Sequence, residues 1–435
     1  MSLGEAFLYW LKLGFISFGG PAGQIAIMHH DLVERRRWIS ERRFLHALNF
    51  CMVLPGPEAQ QLATYIGWLM HRTWGGLIAG GLFVLPSLVI LVALSWIYMA
   101  YGNVPAVAGV LYGVKPAVTA IVALAAYRIG RRTLRNAWLG AIAVAAFLAI
   151  FLFHVPFPVI VVAAAALGAM GGRLAPERFA ISGGHGETGK SSGAALIDDH
   201  TPPPAHARFT WGRFWRILLV CIGLWVATLA GLVALFGWEG TLTRMAWFFT
   251  KAALLTFGGA YAVLPYVAQG AVDQSHWLDA HQMIDGLALG ETTPGPLIMV
   301  VAFVGFVGGW NDAVLGQGSL VLSGVAAAAV VTFFTFLPSF LFIFAGAPFI
   351  ETTHGTVGFS APLTGITAAV VGVIVNLAVF FAWHVFWPDG AAGRFDWLAA
   401  LIGLAAAIAL FRFQRSVIQV VLGAGVVGLL TVWLP

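Results

Sequence analysis

In this chain of 435 residues the cluster Phe18-Gly19-Gly20-Pro21 is followed by Pro55-Gly56-Pro57, and the pair recurs 239 positions later as Phe257-Gly258-Gly259 and Pro294-Gly295-Pro296. Lys12 with Lys251, and Trp38 with Trp277, obey the same offset. Aligned without a gap, Lys12–Pro57 and Lys251–Pro296 are identical at ten of forty-six positions, most of them Gly, Pro, Trp, Phe or Lys, which shared hydrophobicity would not select. The chain is therefore an internal duplication. Each copy carries two helix-breaking clusters inside apolar sequence.

Those breaks matter because of what surrounds them. Hydrophobic residues make up 60% of the chain and charged residues 9%, against roughly 25% charged in soluble domains. Apolar runs of bilayer-spanning length recur, and the short alternating segments of a β-barrel do not. The fold class expected is an all-α polytopic membrane protein with an inverted-topology internal repeat and broken or re-entrant helices. The net charge of +5 comes from Arg clusters between apolar runs, which is a topology signal and not a nucleic-acid footprint. Cys51 and Cys221 stand in apolar surroundings, so neither a disulfide framework nor a cysteine metal site is expected. The N-terminus lacks a basic n-region and small-residue cleavage site, so no cleaved signal peptide is expected.

Four units follow: a first transmembrane repeat (1–172), a polar cytoplasmic linker (173–213), an extra connecting span (214–243) and a second, inverted repeat (244–435). A polar insertion near Trp310–Gly318 shifts the offset to 252, so that Pro86-Ser87 aligns with Pro338-Ser339 and Gly113 with Gly365. Loop 29–43 carries five Arg, while its counterpart 268–282 has neither Lys nor Arg. By the positive-inside rule they lie on opposite faces, the signature of an inverted repeat. The Arg128–Arg135 cluster, the linker and Arg412 with Arg415 all fall inside if the segments beside each break are half-length arms. Phe44–Leu54, about 16 Å long as a helix, fits half of a roughly 30 Å hydrocarbon core. The expectation is four re-entrant hairpins and nine full spans; the rival is thirteen conventional spans.

Helices that begin just after such breaks leave their first amides unpaired, with the positive end of the dipole at the break. Such ends bind anions. Gly19, Gly20, Gly56, Gly258, Gly259 and Gly295 allow close approach, and Pro21, Pro55, Pro57, Pro294 and Pro296 fix the turns. Ser17, Thr256, Thr292, Thr293, Gln60 and Gln61 are candidate hydrogen-bond donors. Lys12 and Lys251 are membrane-segment lysines six residues before each Phe-Gly-Gly, the alternative being snorkelling to the interface. Lys115 is a third, asymmetric candidate. Glu58 and Glu291 flank the two Pro-Gly-Pro motifs and are candidates to carry a coupling proton, although Glu58 can equally cap its helix. Gly184–Ser191 fits the G-x-x-x-x-G-K-[ST] pattern but lacks a strand, a helix and a domain around it, so ATP binding is not expected.

Taken together, Phe-Gly-Gly-Pro with Pro-Gly-Pro, and Phe-Gly-Gly-Ala-Tyr with Thr-Pro-Gly-Pro, resemble the chromate ion transporter family in its long two-copy form. The resemblance adds Tyr261 to the motif residues. It implies a carrier in the bacterial inner (plasma) membrane that exports chromate and confers chromate resistance. Ala260 stands where the first copy has Pro21, so the two copies contribute unequally. The function expected is a secondary transporter of a divalent oxyanion, chromate or sulfate-like, without cofactor, metal or enzymatic step. An anion channel and a sulfate-type carrier are the alternatives. A chromate reductase would need a flavin, haem or cysteine signature that is missing. The sequence leaves the oligomeric state open, a homodimer included.

Overall fold

The computed structural model describes residues 2–18, 20–179, 195–198, 204–257, 259–352, 360–390 and 392–432. Gly19, Gly258 and the Gly184–Ser191 stretch lie outside them. The described residues are helical throughout the membrane portion. In the first copy α1 (Leu3–Ile16) and α2 (Gly20–His29) flank the Phe-Gly-Gly break, while α3 (Glu41–Val53) and α4 (Glu58–Tyr101) flank Pro-Gly-Pro. Then come α5 (Pro105–Thr133), α6 (Ala137–Phe153), α7 (Phe157–Leu174) and the single turn α8 (Pro176–Phe179). The connecting helix α9 (Trp211–Phe236) leads into the second copy, with α10 (Thr241–Leu255), α11 (Ala260–Ala268), α12 (Ala280–Thr292) and α13 (Val300–Asn311). The chain closes with α14 (Leu320–Thr352), α15 (Ser360–Phe386), α16 (Trp397–Phe411) and α17 (Val417–Thr431).

The duplication extends to backbone detail. Each copy follows its first break with a π-helical turn, His30–Arg35 and Gln269–Gln274, again 239 positions apart. Left-handed residues obey the same spacing: Gly20 with Gly259, Arg37 with His276, Gly56 with Gly295. The polar insertion also has a structural meaning. In the second copy it is the loop between α13 and α14; in the first, the equivalent place is a kink in α4 at His71 and Arg72, whose φ/ψ are non-helical. Thus α4 is two helices, a short arm (58–70) and a long one (73–101).

The arms beside the breaks fold back on themselves. α1 has 14 residues, about 21 Å, and beyond α2 the chain returns beside the start of α1. There Trp38 meets Tyr9 edge-on at 5.0 Å, and Arg36 lies over the Tyr9 ring at 4.9 Å and 4.0 Å from Glu5. In the second copy Trp277 returns to Phe248 at 5.5 Å, and Asn311 donates to the Trp277 carbonyl at 3.0 Å. The long arm of α4 runs from the first hairpin base to Tyr98, whose hydroxyl donates to Asp285 near the start of α12. α14 runs in the complementary sense, ending at Glu351, which accepts from Tyr65 and faces Arg43 at the start of α3.

Among the described residues, six helices are long and apolar enough to cross a bilayer: α4, α5, α7, α9, α14 and α15, each within a residue or three at its ends. Three of the nine spans expected to be full length are shorter. α6 has 17 residues and α16 and α17 have 15 each, or about 22–26 Å against a core of about 30 Å. α6 and α16 end at left-handed or polar turns, His154 and Arg412-Phe413-Gln414, which stop the helix before the apolar length is complete.

Small residues let the outer helices cross closely, as membrane packing without a hydrophobic drive requires. Gly113 of α5 abuts the Ala424 carbonyl and Gly428 of α17, and its counterpart Gly365 of α15 abuts the Ala164 carbonyl and Gly168 of α7. Each copy thus packs its fifth-helix equivalent against the terminal helices of the other. Because the obstructing atoms are backbone, Gly113→Leu and Gly365→Leu should each destabilise the protein by at least the roughly 1–3 kcal/mol typical of overpacking, read as a lower melting temperature in detergent. Gly81→Leu, with open space around its α-carbon, should leave the melting temperature within a degree or two of wild type.

Candidate functional site

The breaks meet in two pairs across the copies. The Gly56 amide donates to the Thr256 carbonyl at 2.8 Å, and the Gly295 amide donates to the Ser17 carbonyl at 2.8 Å. Gly56 and Gly295 are equivalents, as are Ser17 and Thr256, so these are one contact made twice with the copies exchanged. Unwound backbone at this depth has no water to satisfy it; here each copy satisfies the other. Gln24, buried on α2, ties the knot further by donating to the Gly295 carbonyl at 2.6 Å and the Ser17 carbonyl at 3.3 Å.

The two central glycines have no alternative. Gly56 and Gly295 sit at φ +127° and +102°, where L-residues are strained. A Cβ on Gly56 would come within 2.5 Å of Ser339 Oγ and 2.6 Å of Gln61 Nε2; one on Gly295 would come within 2.7 Å of Ser87 Cβ. Ser87 and Ser339 are themselves equivalents under the second offset. The exchange therefore holds once more: each Pro-Gly-Pro lies against the Pro-Ser of the opposite copy.

The donors expected from the sequence are largely occupied. Ser17 and Thr256 end their helices and donate back to the Leu13 and Ala252 carbonyls at 2.6 and 2.7 Å, the usual competition of such hydroxyls for the preceding turn. Thr292 donates to Leu289 and Thr293 to Gly290. Gln61 donates to the Pro55 carbonyl and Gln60 to Thr64 Oγ1. What remains unpartnered and buried at the crossing is a different set: the hydroxyls of Ser87 and Ser339, 0% and 1% exposed, and the side-chain oxygens of Gln60 and Gln61. Ser87 and Ser339 were visible only as an aligned Pro-Ser pair, thirty residues from the nearest motif in the first copy. Gln24 had no signal at all, since its counterpart is Val263.

The lysines depart furthest from expectation. Lys12 on α1 and Lys251 on α10 are both exposed on the outer surface, Lys251 with its ammonium 5.9 Å from the Trp247 ring. Both lie outside the crossing, which is built without them. Lys115 is instead paired with Asp285 at 3.4 Å, a carboxylate hidden in the apolar run of α12. Glu58, half-buried in the first turn of α4, faces the Gly259 α-carbon across the copies, with its Oε1 3.9 Å from where a Cβ would stand. Glu291 is buried and accepts from the Tyr261 hydroxyl at 2.6 Å. Pro57 occupies the N-cap of α4 and Pro296 precedes the short turn leading into α13, so both helices present their N-termini to the crossing; Pro21 lies in the first turn of α2 and Pro294 is buried at the second break.

A helical membrane protein with unwound, polar breaks at the junction of two repeats belongs to the class of membrane transporters. Comparison with known proteins is in accord. The chromate transporter family model matches residues 4–169 and 243–429, and the chain belongs to that family. It is 31% identical to a chromate transport protein of Pseudomonas aeruginosa, covering 98% of this chain and 92% of the relative. Identity is 29% to the chromate transport protein of Cupriavidus metallidurans, over 98% and 93%. With a probable chromate transport protein of Synechococcus elongatus it is 30%, over 95% and 91%. No solved structure matches.

Ser87→Ala and Ser339→Ala provide the discriminating variants. Removing an unpartnered buried hydroxyl should leave stability unchanged or slightly raised. Losing a hydrogen bond to a charged ligand costs about 1.5–3 kcal/mol, or about ten- to hundredfold in affinity. Melting temperature and chromate-binding titrations on the same preparations separate the two effects.

Proposed function

We propose that the protein is a secondary transporter of a divalent tetrahedral oxyanion, chromate first and sulfate as its competitor, working as an efflux carrier in the bacterial inner membrane. The observation that carries this reading is the reciprocal pair of hydrogen bonds, Gly56 to Thr256 and Gly295 to Ser17. It joins the breaks in two exchanged pairs, which supports a site to which the N-termini of α2, α4, α11 and α13 all contribute. The substrate site consists of those helix ends together with the Ser87 and Ser339 hydroxyls. The exchanged contacts also support an inverted repeat, with the arginine-rich loop 29–43 cytoplasmic and loop 268–282 outside.

Glu58 and Glu291 then acquire a defined role. Two ionised carboxylates beside a dianion in a medium of low dielectric would repel it strongly. Loading the site therefore requires that at least one of them holds a proton, and that proton is the coupling ion. The complete burial of Ser87, Ser339, Gln60 and Gln61 describes an occluded centre, which suits a carrier better than an open pore.

Inside-out vesicles containing the protein should accumulate chromate saturably when the lumen is held positive, and faster when the outer medium is made more acid, with sulfate competing. Uptake no faster than in protein-free vesicles would remove the substrate assignment, and ohmic single-channel currents would make it a channel. Glu58→Gln and Glu291→Gln should retain chromate–chromate exchange, while at least one of them loses gradient-driven accumulation. If both still accumulate chromate like wild type, the carboxylates are not the proton carriers.

A further inference from the structure

A cavity of about 720 Å³ opens between the end of α4, the start of α5 and the start of α12, with Val432 at its rim. The charged members of its lining are Lys115 and Asp285; Tyr98, Tyr112, Asn103 and Gln282 supply its polar surface. Asp285 is 2% exposed. Its Oδ2 accepts from the Tyr98 hydroxyl at 3.0 Å and lies 3.4 Å from Lys115 Nζ, while its Oδ1 has no partner. Lys115, about a quarter exposed, reaches the cavity. Here a membrane-embedded ammonium is matched with a single carboxylate that is itself left half-satisfied, in a space large enough for a ligand several times the size of a water molecule.

We propose that this cavity is a second oxyanion station, in which Lys115 holds the dianion on its way to or from the midplane crossing and Asp285 takes the anion's place when the station is empty. The inference rests on the oxyanion-transport reading above and adds a site to it. A tetrahedral dianion in the cavity meets the Lys115 ammonium, the Tyr98 hydroxyl and the side-chain amides of Asn103 and Gln282, all hydrogen-bond donors. Its charge cannot be added while Asp285 remains ionised and attached to Lys115, because the pocket would then carry a net charge of −2 in a poorly screened place. Binding accordingly releases the carboxylate from Nζ, and a proton from solvent adds to a carboxylate oxygen of Asp285. On release of the anion the proton leaves and the Lys115–Asp285 pair re-forms. No other bond changes.

One helix joins the station to the crossing. Asp285 and Glu291 lie on the same helix six residues apart, about 9 Å along its axis, and Glu291 precedes the Pro294-Gly295-Pro296 break. Other charged groups surround it. Asp279, the N-cap of α12, acts electrostatically on Asp285, and His281 lies between Lys115, Asp279 and His384 of α15. Tyr112 of α5 is engaged by Asp396 at 2.8 Å. The histidines gain charge in the same direction as Asp285 loses it, so only a change at Asp285 itself separates their effects.

Equilibrium binding of radiolabelled chromate to the full-length purified protein tests the proposal, at two pH values above neutrality where chromate remains a dianion. Wild type should bind two chromates, both more weakly at the higher pH because the midplane site also needs a proton on Glu58 or Glu291; the station's is the pH-sensitive chromate that Asp285 governs. Lys115→Met should lose that pH-sensitive chromate, with affinity at least about tenfold weaker as for one lost charge-assisted hydrogen bond; the remaining bound chromate serves as the folding control. Lys115→Arg should keep both. Asp285→Asn should bind the second chromate more tightly and without pH dependence. In the double variant Ser87→Ala, Ser339→Ala the Lys115-dependent chromate should persist even if the other is lost, so failure of the midplane site and failure of the station read differently. Wild-type stoichiometry and affinity in Lys115→Met, or wild-type pH dependence in Asp285→Asn, overturns the station.

Discussion

Two amide-to-carbonyl bonds, Gly56 to Thr256 and Gly295 to Ser17, hold the centre of this protein together. A helix broken inside a membrane exposes backbone groups that lipid cannot satisfy, and each costs several kcal/mol if left unpaired. One copy of the repeat could not solve this alone, because the carbonyl needed by its second break lies at the first break of the other copy. The same exchange reappears in side-chain packing. Gly56 faces Ser339 and Gly295 faces Ser87, while farther out α5 crosses α17 and α15 crosses α7. The halves are interlocked at every level from the central hydrogen bonds to the peripheral helices, which is why the duplicated chain forms one unit and not two tandem bundles.

The interlock also governs which polar groups remain available to a substrate. Hydroxyls at the ends of helices, such as Ser17 and Thr256, donate to the turn behind them, because that acceptor is always within reach. Ser87 and Ser339 lie mid-helix and immediately after a proline. Their hydroxyls are unpartnered, and each serine lies opposite a glycine on which a Cβ would press against it. A group that is buried, polar and unpaired carries a standing cost, and these two hydroxyls are the ones left free to take a further partner.

Much of this architecture is legible in the residues. The 239-residue spacing identifies the copies, and the breaks at Phe-Gly-Gly and Pro-Gly-Pro fall where α1, α3, α10 and α12 end. The turn at His71-Arg72 is also marked, since a polar pair interrupts an apolar run there. Illegible features have a common cause: they depend on which face of a helix turns inward, or on which copy supplies a partner. Lys12 and Lys251 obey the repeat but fall on the outward phase of their helices. Asp285 is one carboxylate in an apolar stretch, aligned with His46 and with nothing local to mark it; its significance comes from Lys115 and Tyr98, 170 and 187 positions away. The short lengths of α6, α16 and α17 follow from where polar turns cut the apolar runs, which overall hydropathy does not resolve.

Symmetry explains how the fold closes, but transport of charge requires that the symmetry be incomplete. Among the departures between the copies at the crossing are a proline and several titratable groups: Pro21 against Ala260, Ala22 against Tyr261, Glu58 against Leu297, and Met52 against Glu291. Both carboxylates consequently gather about the same arm, Glu58 facing Gly259 and Glu291 bonded to Tyr261. Had each copy kept its own equivalent, four carboxylates would crowd one crossing, at a high cost in mutual repulsion when ionised. The backbone is therefore matched between the copies where it must satisfy itself, and the side chains have diverged at the titratable positions beside it.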